Sequence, residues 1–204
     1  MIRIGVLASG SGTNLQAIFD GCRQNRIDGQ VVLTITNNPL AGAIARSQRA
    51  GIPCRYIDHR LLPSREAFDA QVAEALGEAA VDLVALAGFM RIVTPVLIQA
   101  FQGRIMNVHP ALLPSFPGLQ APRQALRFGV RFTGCTVHFV TEEVDGGPII
   151  LQAVVPVAED DSEETLQRRI QEQEHIIYPK AIQLFAQQRL VIEGRRVLIR
   201  PAPG

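Results

Sequence analysis

Residues 2–18 read IRIGVLASGSGTNLQAI. A short apolar run at 2–8 leads into a glycine-rich turn and then into a helical pattern, with Leu15, Ile18 and Phe19 on one face. The alternation continues with strands predicted at 30–37, 54–57, 81–88 and 104–109, and helices at 14–26, 41–50, 64–80 and 95–101. Such alternation predicts a parallel sheet with helices on both faces.

The second half of the sequence changes pattern. A helix is predicted at 121–128, followed by strands at 134–140 and 148–155 whose short link, TEEVDGG, indicates an antiparallel pair. Asp161 to Glu164 match a capping box for a long helix to about residue 188, and 190–199 reads as a hairpin. We therefore predict an α/β protein with one continuous, mostly parallel twisted sheet in two lobes, with an antiparallel C-terminal portion.

Composition excludes several classes of protein. The chain has 204 residues with 47% apolar and 19% charged content, which suits one globular domain. A formal charge of +1 without a basic run disfavours a nucleic-acid partner. No apolar run approaches a membrane span, and the first strand starts where a signal peptide would lie, so we expect a cytoplasmic protein. Three distant cysteines exclude a disulfide framework and are interpreted as small buried hydrophobes: Cys22, Cys54 and Cys135.

The glycine-rich turn does not match a dinucleotide fingerprint. Gly10 and Gly12 fit G-x-G, but Leu15 occupies the third glycine position, and Asn37-Asn38 stand where an acidic residue would bind a ribose. No Gly-Lys-Ser/Thr follows, so the turn is not a P-loop either. Two interpretations remain: an ordinary turn, or a cradle for a single phosphate made by Gly12, Thr13 and Asn14.

Residues 107–110 read NVHP. Asn107 and His109 are two apart, which is the period of a strand, so both side chains would project from one face. Pro110 cannot donate to a sheet ladder, so the strand should end at His109. The pair is either a catalytic amide and imidazole at the edge of a sheet or a satisfied polar pair at a strand end.

Other polar residues also allow two interpretations. Asp145 in VDGGP is either a turn former or a carboxylate directed at an imidazole. Arg91 is either a surface cation or part of a ligand wall, and Glu174 either binds a substrate amine or is solvated. The remaining histidines are expected to be structural at His138 and His175 and at the surface at His59.

Taken together, six segments resemble the phosphoribosylglycinamide formyltransferase family, also called glycinamide ribonucleotide transformylases. They are SGSGTNLQAI (9–18), SREAFD (64–69), LAGFMRI (86–92), NVHPALLPSFPG (107–118), HFVTEEVDGGPI (138–149) and QEQEHIIYP (171–179). The resemblance implies a Rossmann-like formyltransferase fold in a single domain, 1–204. It further implies a phosphate-binding half at 1–103 and a catalytic and folate-binding half at 104–204.

The resemblance also implies the reaction and its residues. A formyl group would pass from 10-formyltetrahydrofolate to the amine of N1-(5-phospho-β-D-ribosyl)glycinamide in purine biosynthesis, without a metal, in a monomer or homodimer. The catalytic residues would be Asn107, His109 and Asp145. The ribonucleotide would contact Gly12, Thr13, Asn14, Gln171 and Glu174. The folate would contact Arg65, Met90, Arg91, Ile92, Val93, Thr141, Glu142, Glu143 and Val144, together with Asn107 and Asp145.

In the expected mechanism the amine attacks the formyl carbon directly. Asn107 and a protonated His109 would donate to the tetrahedral oxyanion, and Asp145 would raise the pKa of His109 and relay protons. The sequence departs from the family in having no histidine at 119–122 and in carrying Ala111 where serine is common. Both departures are expected to affect fine tuning only.

Three other readings remain as alternatives. Formyltetrahydrofolate hydrolases share the Asn, His and Asp pattern but carry an N-terminal regulatory domain, whereas here the first strand is expected from residue 2. Methionyl-tRNA formyltransferases resemble the HPALLP segment but have a longer C-terminal RNA-binding domain. A nucleotide-binding redox protein or a non-catalytic binding module is disfavoured by the broken glycine fingerprint and by the Asn, His and Asp trio.

Overall fold

The computed structural model describes residues 1–202. The chain forms two compact units, of which the first ends at Asn107 and the second begins at Val108. The predicted boundary between halves, at 103/104, lies a few residues before this point. The prediction of a single domain over 1–204 stays a prediction.

The first unit confirms the predicted alternation. Its elements are β1 (Ile2–Leu7), α1 (Thr13–Arg23), β2 (Gly29–Thr36), α2 (Gly42–Ala50), β3 (Cys54–Tyr56), α3 (Arg65–Glu78), β4 (Leu83–Leu86), α4 (Pro95–Ala100) and β5 (Ile105–His109), whose last two residues belong to the second unit. The strands lie in the order β3-β2-β1-β4-β5, and every pair is parallel. A short 3₁₀ turn at His59–Leu61 was not predicted.

Local signals explain where these elements begin and end. The Ser64 hydroxyl accepts from the Ala67 N–H and caps α3, as predicted, and Glu66 lies in the first turn. Gly51 ends α2 at φ 69°, a left-handed conformation that suits glycine. All four residues of β4 are buried, as expected for a strand that is covered on both faces.

The second unit contains the antiparallel portion of the sheet. Its elements are α5 (Ala121–Phe128), β6 (Phe132–Phe139), β7 (Ile149–Pro156), α6 (Glu163–Ala186), β8 (Leu190–Glu193) and β9 (Arg196–Ile199). β6 and β7 pair antiparallel, as predicted, and α6 packs against both. A Cβ on Gly134 would lie 1.9 Å from the Ala153 carbonyl oxygen, so this pairing needs glycine. The predicted hairpin at 190–199 is confirmed as β8 and β9.

Several predicted boundaries were wrong. The capping box is shifted by one residue, because Ser162 caps α6 and Thr165 reciprocates, while Asp161 instead pairs with Arg169 at 2.8 Å. The helix predicted at 14–26 ends at Arg23, since Asn25 turns the chain at φ 56°. The strand predicted at 81–88 is confined to β4, because the Val81 N–H closes the end of α3 on the Leu76 carbonyl.

Two side-chain predictions also need correction. Only Cys135 is buried, whereas Cys22 and Cys54 are half-buried. Burial raises the thiol pKa of Cys22 to about 11 and, with a smaller contribution from Glu174, that of Cys135 to about 12. His59 is half-buried and packs edge-on against Phe68 at 6.3 Å between ring centroids. Within residues 1–202, no helix has the length and apolar content to cross a membrane.

Candidate active site

His109 ends β5, because the following Pro110 cannot continue the ladder. Its side chain is only 5% exposed. Asn107, two residues earlier in the same strand, is half-buried, and strand geometry directs both side chains to one face. The sequence therefore predicted both the end of this strand and the shared face of an amide and an imidazole.

Asp145 reaches His109 from the loop between β6 and β7. One carboxylate oxygen, Oδ2, lies 3.3 Å from His109 Nδ1, and the Asp145 side chain is 11% exposed. Asp145 adopts a left-handed φ of 52°, and the Gly146 N–H closes a turn on the Glu143 carbonyl. A Cβ on Gly147 would lie 1.8 Å from the Phe139 carbonyl oxygen, so this loop requires its glycine. The interpretation of Asp145 as a carboxylate directed at an imidazole fits this geometry.

The segment 116–118 contacts both partners of this pair. The Phe116 carbonyl lies 2.8 Å from His109 Nε2, and the Gly118 N–H donates to Asp145 Oδ2 at 2.8 Å. A carbonyl oxygen only accepts, so Nε2 carries a hydrogen. Both ring nitrogens of His109 thus face acceptor oxygens, and only the imidazolium can donate to both.

His138 is a member of this cluster that the sequence did not reveal as functional. Its Nε2 lies 3.7 Å from Asp145 Oδ1, the carboxylate oxygen that His109 does not approach, and its Nδ1 donates to the Phe139 carbonyl at 2.9 Å. The available signal was a histidine in an otherwise apolar, fully buried stretch of β6, seven residues before Asp145. Asp145 therefore lies between two imidazoles.

Burial and charge act in opposite directions on this cluster. Burial lowers the pKa of the His109 imidazole below its ordinary value, and the Asp145 carboxylate and the Phe116 carbonyl offset only part of that effect. The net direction is therefore opposite to the raised His109 pKa expected from the sequence. Burial raises the pKa of Asp145, but the bonds with His138 and the Gly118 N–H, and the charge of His109, bring it below its ordinary value.

The glycine turn of the first unit begins α1. Gly12 caps the helix at φ 74° without a side-chain hydrogen bond, and a Cβ there would lie 3.0 Å from Ala43 Cα. Thr13 is half-buried and Asn14 buried. A helix start whose cap contributes no side chain leaves its first-turn amides directed at the turn, which suits an anion.

The loops that follow β1, β2 and β4 are tied together at Ser9. Its hydroxyl donates to Asn37 Oδ1 at 2.6 Å and accepts from the Met90 N–H at 2.9 Å, while Asn38 Nδ2 donates to the Ser9 carbonyl at 3.0 Å. The two asparagines that argued against a dinucleotide site therefore have a definite role. They connect the C-terminal ends of neighbouring strands.

The residues that resemblance assigned to the folate lie in both units. In the first unit, Arg65 donates to the Ile92 carbonyl at 3.0 Å, and the Arg91 guanidinium lies 4.7 Å from the Phe68 ring centroid. Met90 is 68% and Ile92 55% exposed, and Val93 is half-buried. In the second unit, Thr141 is half-buried, and the next three residues are exposed: Glu142, Glu143 and Val144.

The residues assigned to the ribonucleotide amine lie on α6. Gln171 and Glu174 are three apart and so share a face of the helix. Glu174 is 5% exposed, so the alternative of a solvated side chain is wrong. Among residues 1–202, no group of three or more His, Cys, Asp and Glu side chains is arranged to hold a metal ion.

Comparison with known proteins adds a family to this geometry. Residues 2–182 match the family model described as formyl transferase. The chain is 47% identical to phosphoribosylglycinamide formyltransferase of Escherichia coli over 189 residues, covering 93% of this chain and 89% of that protein. It is also 47% identical to the trifunctional purine biosynthetic protein adenosine-3 of Bos taurus over 184 residues, but spans only 18% of the length of that relative.

Solved structures agree with the fold. A glycinamide ribonucleotide transformylase 1 from Symbiobacterium toebii superposes with a TM-score of 0.98 at 60% identity, covering 98% of this chain and 95% of that one. A formyltetrahydrofolate deformylase from Pseudomonas syringae superposes with a TM-score of 0.90 at 27% identity, covering 98% of this chain and 66% of that one. The predicted architecture, a mostly parallel sheet with helices on both faces and an antiparallel C-terminal portion, is confirmed.

Proposed function

Because this chain belongs to the formyl transferase family, we propose that it transfers a formyl group from 10-formyltetrahydrofolate to the amine of N1-(5-phospho-β-D-ribosyl)glycinamide in purine biosynthesis. The observation that carries the proposal is the buried pair of His109 and Asp145, 3.3 Å apart, two residues after Asn107 on β5. Identity of 47% to the Escherichia coli formyltransferase supports the choice of substrates.

In this proposal the amine attacks the formyl carbon directly, and the developing oxyanion receives two hydrogen bonds. Asn107 donates an amide N–H, and His109 donates from Nε2. In the unliganded protein that N–H is directed at the Phe116 carbonyl. The formyl oxygen would replace this carbonyl as the acceptor, so binding of the donor would displace the 116–118 segment.

Two protons must move during the reaction, and Asp145 is proposed to move them. The attacking amine loses a proton and the leaving folate nitrogen gains one. A His109 imidazolium whose pKa is lowered by burial is a stronger acid and releases its proton more readily. Asp145, with one oxygen near each imidazole, is placed to receive that proton or return it through a water.

The remaining assignments concern the binding of the two substrates. The amides at the start of α1, with Gly12, Thr13 and Asn14, would hold the ribonucleotide phosphate. Gln171 and Glu174 on α6 would hold its glycinamide end, where a buried carboxylate matches an ammonium group. The donor folate would contact Arg65, Met90, Arg91, Ile92 and Val93 in the first unit and residues 141–145 in the second. No metal is required by this chemistry.

The deciding experiment follows loss of the formyl group from 10-formyltetrahydrofolate by ultraviolet absorbance, with and without the ribonucleotide. We expect turnover only when the ribonucleotide is present, and formation of one formylated product per folate released. Asn107→Ala serves as the matched control, because it removes the proposed oxyanion donor and should abolish most of that signal. Absence of turnover under both conditions would overturn the proposal.

A 10-formyltetrahydrofolate hydrolase is the second candidate, and the superposition with the Pseudomonas syringae deformylase is the observation that favours it. In that reaction water takes the place of the amine, while the same oxyanion donors would serve. Turnover without the ribonucleotide, at an equal rate in its presence, would establish the hydrolase.

A further inference from the structure

One face of α3 holds the segment 89–94, which the proposed function assigns to the formyl folate. Arg65, Phe68 and Asp69 are spaced i, i+3 and i+4, so they lie on the same side of the helix. Each of them contacts a different residue of the segment. None of these contacts was evident from the sequence.

The first two contacts fix the segment through a carbonyl and two side chains. Arg65 donates to the Ile92 carbonyl at 3.0 Å. The Phe68 ring is completely buried and stacks on Phe89, with ring centroids 6.4 Å apart and planes at 17°. The Arg91 guanidinium covers the same Phe68 ring at 4.7 Å.

The third contact is a buried carboxylate on a backbone amide. Asp69 is 3% exposed, and its Oδ2 accepts the Thr94 N–H at 2.5 Å. Thr94 is the residue that precedes α4, so the bond fixes the point where the segment ends and the helix begins. The Ser9 hydroxyl, which accepts the Met90 N–H, fixes the other end.

This arrangement holds the backbone and leaves ligand-accessible side chains outside. Met90 and Ile92 remain 68% and 55% exposed although the residues on either side of them are held. A wall built this way presents apolar side chains without having to order the chain when a ligand binds, which lowers the cost of association.

We propose that Asp69 is a positioning residue for the formyl donor, because it fixes the end of the segment 89–94 through the Thr94 amide without touching the donor itself. The inference rests on the proposed function for its choice of ligand. The carboxylate is buried against backbone and aromatic groups, so it does not contact solvent in the way a binding residue would. Its effect is expected on donor affinity and not on the chemical step.

The test compares Asp69→Ala with Asp69→Asn and with Glu74→Ala, an exposed acid on the same helix. The alanine removes the acceptor and leaves a buried Thr94 N–H without a partner, whereas the asparagine keeps an oxygen in place. Asp69→Ala should raise KM for the formyl folate about tenfold, with kcat and the KM for the ribonucleotide within about twofold of wild type. Asp69→Asn and Glu74→Ala should both stay within about twofold of wild type for all three constants.

Asp69→Ser is measured alongside, because it fills more of the site than alanine and its short hydroxyl also withdraws the acceptor from Thr94. The same tenfold rise in donor KM is expected. An equal rise in both KM values, a loss of kcat alone, or a lower unfolding temperature with unchanged kinetics would overturn the assignment, since each describes a structural role only.

Hydrogen exchange separates failure of this inference from failure of the proposed function, because it needs no substrate. Exchange of the Thr94 amide and of residues 89–93 should be about tenfold faster in Asp69→Ala than in Glu74→Ala. Faster exchange in a protein that does not turn over formyl folate would support the positioning role and refute the assigned ligand. Unchanged exchange would overturn the positioning role whatever the substrate.

Discussion

Asp69 and Asp145 are enclosed carboxylates that each accept a backbone N–H, from Thr94 at 2.5 Å and from Gly118 at 2.8 Å. Burial raises the pKa of Asp69 above its ordinary value, and the Thr94 bonds and the arginine charges nearby do not reverse this. The pKa of Asp145 is instead lowered, because two imidazoles approach its two oxygens. A backbone hydrogen bond alone therefore does not decide how a buried carboxylate ionises.

The difference separates a group that holds structure from one that can take part in chemistry. Asp69 has the Thr94 amide as its close partner, and its task is complete when the chain is folded. Asp145 exchanges charge with His109 and His138, which titrate in the physiological range. Perturbed carboxylates beside imidazoles are the arrangement expected at an active site, whereas one that binds a backbone amide is expected at a helix end.

The largest expected effect comes from making the same substitution at both sites. Asp145→Asn should lower kcat about 10²–10⁴-fold, because the amide keeps the Gly118 bond but can no longer accept or return a proton. Asp69→Asn should leave kcat within about twofold, because the amide oxygen still accepts from Thr94. Steady-state kinetics with both substrates saturating measures the pair.

Equal losses of kcat in the two asparagine variants would remove the distinction between them. An unfolding temperature for each variant serves as the control, so that a loss of folded protein is not taken for a loss of chemistry.

Asn107→Ala should have the next largest effect. Removing one donor to an oxyanion lowers kcat about 10²–10³-fold, while substrate binding changes little because the bond forms only in the transition state. Single-turnover measurements separate the chemical step from product release. A rate near that of wild type would show that the amide on β5 has no part in the reaction.

His138→Phe tests whether the second imidazole acts through Asp145. The phenyl ring keeps the buried volume and removes both nitrogens, so the pKa of Asp145 should rise towards its ordinary value. We expect kcat to fall about tenfold and the acid limb of the pH–rate profile to move to higher pH. His138→Gln keeps an N–H near the carboxylate and should recover part of the rate.

The pH–rate profile distinguishes this role from a packing role. A lower kcat with an unmoved acid limb would mean that His138 supports β6 and does not influence the carboxylate. The profile should be recorded between about pH 5 and pH 9, where the imidazoles titrate.

The sequence predicted the features that local patterns encode. β4 reads as a fully apolar run, Ser64 is a recognisable helix cap, and Pro110 marks the end of β5, so each could be placed from neighbouring residues alone. The shared face of Asn107 and His109 follows from the same strand period. These elements gave both the order of the sheet and the position of the candidate site.

Contacts made by backbone groups could not be predicted in this way. The Phe116 carbonyl that faces His109 and the Thr94 amide that faces Asp69 carry no side-chain signature. His138 gave a weaker signal, since its approach to Asp145 depends on a loop that turns through a left-handed φ of 52°. Asp69 could have been noticed because it lies on the face of α3 that carries Phe68 and Val72.

The smallest expected effect is on stability, and it should have opposite pH dependence at the two sites. Asp145 has a lowered pKa in the folded protein, so its contribution to stability is present above the unfolded value of about 3.9 and is lost as pH falls through the lower folded value. Asp69 has a raised pKa, so its contribution is present below about 3.9 and is lost as pH rises through the higher folded value.

Urea unfolding between about pH 3 and pH 7 measures both contributions. The free energy of unfolding of the wild type relative to Asp145→Asn should increase with pH over this range. Relative to Asp69→Asn it should decrease, and Glu74→Gln controls for removing an exposed carboxyl from α3. Two differences of the same sign would mean that one of these carboxylates ionises against the direction that its neighbours impose, and the contrast between a proton-handling and a position-holding aspartate would then fail.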